Sequence, residues 1–165
     1  MKNTTKLLTW ILMVVLVVCA MTLVACVEKP TAQDVTDLTL PTLKANQVAV
    51  ILKNGPSDYT NYVVTLNEDM HTVEDILQYL KDNGMHLDWT SSDYGKMLNS
   101  IGKLAPDASK NQFVAFFTSV EADKGNWAGV PSYNIGDVTV VSAQVGVSDA
   151  KVLSGEVYYF EISTF

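Results

Sequence analysis

The chain has 165 residues with 11 lysines, no arginine and 18 acidic residues, a formal charge of −7. Such an acidic field repels nucleic-acid phosphates, and without a guanidinium there is no side chain shaped for bidentate phosphate contact, so no nucleic acid is expected as a partner. Its 2 cysteines, Cys19 and Cys26, lie close to the N-terminus, and the remainder carries neither an internal disulfide nor a thiol nucleophile.

Lys2 and Lys6 precede an almost uninterrupted apolar run from Leu7 to Ala25, which ends in Leu23-Val24-Ala25-Cys26. A positive n-region, an apolar stretch and a small residue before a cysteine make the pattern of a bacterial lipoprotein signal. Residues 1–25 are expected to be removed, leaving Cys26 as the first mature residue and the carrier of acyl chains such as palmitate. Each methylene buried in a bilayer contributes about 0.8 kcal/mol, so the domain is expected outside the cytoplasm, anchored to the cell membrane by lipid. Two other readings stand beside this one: an uncleaved spanning helix, which the length of the run allows, and processing at Cys19, which the bulky Val18 disfavours. All three leave the C-terminal part outside, because the lysines stay on the cytoplasmic side. Residues 26–165 keep 9 lysines against all 18 acidic residues, a formal charge of −9.

Residues 26–45 are rich in Thr, Asp, Lys and Pro and are expected to form the lipidated N-terminus and a tether, lifting the domain tens of ångströms at roughly 3 Å per residue. Leu38, Leu40 and Leu43 leave docking on the domain as the other course. A single domain is expected over 46–165. It opens with an alternating strand, Gln47 to Lys53, turn chemistry in Asn54-Gly55-Pro56-Ser57-Asp58, and a second strand, Tyr59 to Leu66. Thr72 with Asp75 three residues on predicts a helix N-terminus, Gly84 predicts its end, and Val73, Ile76, Leu77 and Leu80 fall on one face. Tyr94 to Leu104, Gln112 to Val120, Val138 to Val145 and Val157 to Ser163 then read as strand-like segments. A β-β-α order followed by more β predicts an α+β fold, with one main helix on a mostly antiparallel or mixed sheet.

Four segments carry a resemblance: His71 to Leu80 after a strand pair, Tyr94 to Gly102, Phe113 to Phe117, and Gly155 to Phe160. Together they resemble the transcobalamin-like C-terminal domain, a family that includes bacterial surface proteins grouped as domain of unknown function 4430. The resemblance covers roughly Gln47 to Phe165 and rests on the order and type of segments. It implies a β-grasp-like fold and a small flat ligand such as a corrinoid.

No G-x-S-x-G elbow, H-E-x-x-H helix, C-x-x-C pair or glycine-rich phosphate loop occurs, and neither an enzyme nor a resident cofactor is expected. Asp69-x-His71 and His86-x-Asp88 flank opposite ends of the predicted helix, too far apart to share one metal, so no metal site is expected either. The candidate ligand contacts are aromatic. Trp127 and Tyr133 lie in a Gly- and Pro-bounded segment with little charge, and Trp89 and Tyr94 follow the helix in a polar stretch. Their other role is to fold back as loop anchors. A concave pocket around Trp127 would indicate a small-molecule ligand, whereas an unblocked sheet edge would indicate a protein partner and an interaction or adhesion role.

Overall fold

The computed structural model describes residues 28–93 and 95–165. Cys26, the signal at 1–25 and Tyr94 lie outside these residues. Among those described, no helix is long and apolar enough to cross a membrane.

The elements in chain order are β1 (Thr31–Val35), β2 (Gln47–Gly55), β3 (Asp58–Thr65), α1 (Val73–Asp82), β4 (Leu87–Ser92), β5 (Gly95–Ile101), β6 (Gln112–Thr118), β7 (Ser132–Ile135), β8 (Val138–Ser142) and β9 (Val157–Thr164). Seven strands form one mixed sheet in the order β1-β3-β2-β9-β6-β8-β7, and β4 pairs with β5 as a separate two-stranded sheet. β2 and β9 run parallel at the centre, with Ala49 opposite Val157 and Lys53 opposite Glu161. The other pairs are antiparallel. This is a β-rich α+β fold with a single α-helix among the described residues.

Side-chain alternation along the strands builds two apolar layers. One face of the central strands presents Val48, Val50, Leu52, Tyr158 and Phe160, which pack against Val73, Ile76, Leu77 and Leu80 of α1 and Leu87 and Ile101 of the small sheet. The predicted helix face is therefore the buried one. Its start is a capping box: Thr72 Oγ1 accepts from Asp75 N at 3.4 Å, and Asp75 Oδ2 accepts from Thr72 N at 2.8 Å. The opposite face of the sheet presents Ala49, Ile51, Ala115, Phe117, Val157 and Tyr159, covered by Ile135, Val138 and Val140 of the β7–β8 hairpin.

Leu38, Leu40 and Leu43 complete that second layer. Within the stretch expected as a tether, Thr31–Val35 adds an edge strand to β3, with Thr31 opposite Val63, and the leucines dock beyond it. Of the two courses open to residues 28–45, docking is the one observed. Three half-buried leucines remove apolar surface from water, and that outweighs the freedom of a short extended linker. β4 and β7 are the other elements that sequence patterning did not anticipate. Both are short and carry polar residues at alternate positions, and their partners supply the pairing.

Candidate functional site

β6 joins the sheet fully on one side only. Along β9 it is paired from Gln112 to Thr118, but β8 meets only Phe117 and Thr118. Ser119 N donates toward β9, to Val157 O, whereas Phe116 O accepts from Ala143 N on the other side. Strand alternation therefore turns the Val114 N–H and C=O away from β9, toward an edge that carries no ladder partner among the described residues. β5 presents a similar edge. Lys96 N points away from β4 and donates to Ser148 Oγ at 2.9 Å, so the Leu98 N–H and C=O, two residues on, point the same way.

Between these edges runs an open groove of about 690 Å³. Met97 and Leu98 of β5 form one wall, Phe113 to Phe117 of β6 the floor, and Pro131 and Tyr133 the other wall, with Val145 to Val147 closing one end. Phe165 also lines the groove and stacks on Phe113 with ring centroids 4.5 Å apart. The lining is mostly apolar, and Met97 is 62% exposed.

The polar part of the lining includes Glu161. Glu161 is 8% exposed, and its carboxylate accepts from Lys53 Nζ at 3.0 Å, Tyr133 OH at 2.6 Å and Tyr159 OH at 3.0 Å. A buried carboxylate needs such partners, since an unpaired charge there costs several kcal/mol. The same contacts hold the tyrosines protonated. The hydrogen bond to Glu161, with burial behind it, pushes the Tyr133 hydroxyl up to about 12, and burial beside Glu161 raises Tyr159 as well. Tyr133 is further fixed by edge contact with Phe117, a tilted contact with Tyr159 and the Lys53 ammonium 5.6 Å from its ring centre. It is thus a preorganised wall of the groove, with no free hydroxyl for chemistry.

Of the aromatic residues singled out in the sequence, only Tyr133 is among the described residues that line the groove. Trp127 sits elsewhere. Its ring covers Gly125 so closely that a Cβ there would fall 2.1 Å from the indole, and 47% of the residue is exposed. Trp89 packs beside the helix-side core and lies between two ammonium groups, Lys81 Nζ at 5.6 Å and Lys96 Nζ at 5.4 Å from its ring. Tyr94 is outside the described residues. Phe113, Phe116, Met97 and Glu161 were not singled out as contacts. The signal available was the run Phe113-Val114-Ala115-Phe116-Phe117, which places aromatic rings on both faces of one strand. Among the described residues no three His, Cys, Asp or Glu side chains come together as cation ligands, and His86 Nε2 instead lies 2.8 Å from Ser100 Oγ.

No family model and no curated protein matches the chain. Among solved structures, a candidate metal-binding protein from Ruminococcus gnavus is similar in fold, with TM-score 0.51 and 13% identity over 73% of this chain and 98% of that one. Haptocorrin, solved in complex with Cbi, matches with TM-score 0.49 and 10% identity over 77% of this chain, which spans 27% of haptocorrin's length. At 13% identity the likeness to the Ruminococcus gnavus protein concerns the fold alone.

Proposed function

We propose that this protein is a lipid-anchored extracytoplasmic binding module, non-catalytic, that takes a small flat ligand in the groove between β5 and β6. The observation that carries the reading is the groove itself. About 690 Å³ lies in the range of small-molecule sites, its walls are apolar and aromatic, and its hydrogen-bonding groups are few and fixed. A flat molecule with amide or hydroxyl groups at its rim suits both parts, burying its face on Leu98 and Phe116, which share one side of β6, while the rim meets the main chain of Val114. The corrinoid class implied by the resemblance has that form. The helix-covered order β3-β2-β9-β6, with its parallel central pair, supports the β-grasp form of the fold.

The open edges of β5 and β6 favour a second reading, a surface protein-interaction domain that accepts an extended segment by strand addition. Titration of the mature chain with cobinamide separates the two. The small-ligand reading expects saturable binding, weakened at least tenfold by Met97→Asp, which sets a charge on the groove wall, and unchanged by Trp127→Ala, whose ring lies outside the groove. Trp127→Ala is expected instead to cost about 1–3 kcal/mol of stability through lost burial on Gly125. Failure of corrinoids and flat heterocycles to bind the parent protein would overturn the small-ligand reading.

A further inference from the structure

β4 and β5 form a sheet of their own, so no strand ladder fixes β5 against β6, and the width of the groove between them is set by other contacts. The chain that leaves β8 supplies one. Ala143 N donates to Phe116 O at 3.0 Å on the β6 edge, and further along Ser148 Oγ accepts from Lys96 N at 2.9 Å on the β5 edge. Residues 143–148 thus bridge the two edges at the end of the groove that Val145 to Val147 close. The bridge is backed by α1. Glu74 N donates to Val147 O at 2.9 Å, Val73 N donates to Ala150 O at 3.0 Å, and the Ser148 hydroxyl donates to the Glu74 carboxylate at 2.6 Å. These are main-chain donors that the first turn of a helix leaves without partners of its own.

We infer that Ser148 is the positioning residue of the groove, holding the β5 wall at the distance from β6 that a ligand meets. The binding part of this inference rests on the groove as the ligand site. One hydroxyl makes both bonds: its proton goes to Glu74, a charge-assisted contact that fixes the rotor, and a lone pair is left aimed at the Lys96 N–H. Gly95 points to the same contact independently. Its φ is +94°, and a Cβ there would fall 2.8 Å from Ser148 Oγ and 3.0 Å from Ser148 Cβ, so conformation and close approach both exclude a side chain. The main chain of β5 is seated directly on Ser148. At the other end of the strand Ile101 is 0% exposed in the helix-side core, and Lys103 beyond it pairs with Asp34 at 3.0 Å on the surface. Gly95 to Leu98, which line the groove, belong to the Ser148 end. Without the hydroxyl that end swings on the buried Ile101, and the groove loses its fixed width.

Spin-label distances test this on the mature chain carrying Cys26→Ser, which has no other cysteine. Labels are placed by Asn99→Cys on β5 and Asn134→Cys on β7, both exposed. Ser148→Ala is expected to make the distance distribution about twofold broader, while the unfolding midpoint stays within a degree or two of the parent. Glu74→Ala, which removes only the bond behind Ser148, is expected to broaden it less, and it carries the distance test if Ser148→Ala fails to fold. Cobinamide affinity, measured on the same mature chain without labels, is expected to fall about tenfold in Ser148→Ala. Distances in both variants that match the parent overturn the positioning role. Altered distances with cobinamide affinity equal to that of the parent overturn its importance for binding. A parent chain that binds no cobinamide instead removes the small-ligand reading, and the distances alone then decide whether Ser148 holds the wall.

Discussion

Glu161 shows how a single residue in β9 sets the chemistry of the groove wall. The strand would otherwise alternate apolar side chains into two cores, yet at this position it buries a carboxylate that Lys53, Tyr133 and Tyr159 reach from three different strands. Glu161→Leu would leave two tyrosine hydroxyls without an acceptor, and each buried orphan costs about 1–3 kcal/mol, so a loss of about 3 kcal/mol in chemical denaturation is expected. Tyr133 gives the network a pH signature. Its folded-state pKa of about 12 stands above the ordinary value of 10.0, so its contribution is fully present below pH 10 and is lost as the pH rises toward 12. Tyr133→Phe is expected to be less stable than the parent at pH 8 and to lose less stability between pH 10 and 12, as measured by unfolding midpoints across that range.

At the scale of elements, α1 is the part most directly readable from its own residues. Thr72 and Asp75 close the capping box, and Val73, Ile76, Leu77 and Leu80 form the buried stripe. Leu77 is 0% exposed, so Leu77→Ala is expected to cost about 2–5 kcal/mol, whereas Thr72→Ala removes one cap and costs about 1 kcal/mol. Urea unfolding of the two variants checks the difference. β4 was less legible than its partner β5, which falls inside the strand-like segment Tyr94 to Leu104. The polar outer face of the pair, with Asp88, Thr90 and Asn99 joined by hydrogen bonds, disguises β4 as loop chemistry. β7 was hidden similarly behind Pro131 and the glycines before it, and Tyr133 became part of a strand only because β8 pairs with it. The candidate aromatics were legible as unusual residues. Which of them share a site was not, because that depends on which strand edge each flanks.

The whole molecule depends on its N-terminal segment more than residue composition indicates. β1 covers the outer edge of β3, and Leu38, Leu40 and Leu43 cover Ala49, Ile51 and Val157 from the second side of the sheet. Deleting residues 28–45, so that the chain begins where a domain boundary was expected, should lower stability by about 3 kcal/mol or more and expose an apolar face to dyes such as anilinonaphthalene sulfonate. An unchanged thermal midpoint in that truncation would show that the segment is a passenger.

Local information determined what depends on neighbouring residues alone. Acidity without arginine, the helix with its cap and stop, and the strands β2, β3, β5, β6, β8 and β9 follow from side-chain period, turn residues and capping chemistry that act over a few positions. Tertiary structure decided the rest. The parallel pairing of β2 with β9, the separation of β4 and β5 into their own sheet, the docking of 38–43 and the open edge of β6 all depend on main-chain groups and apolar faces meeting across long stretches of sequence. A main-chain N–H looks the same in every residue but proline, so no pattern of side chains records that β8 leaves β6 after Phe117 and Thr118, and that departure is what creates the groove.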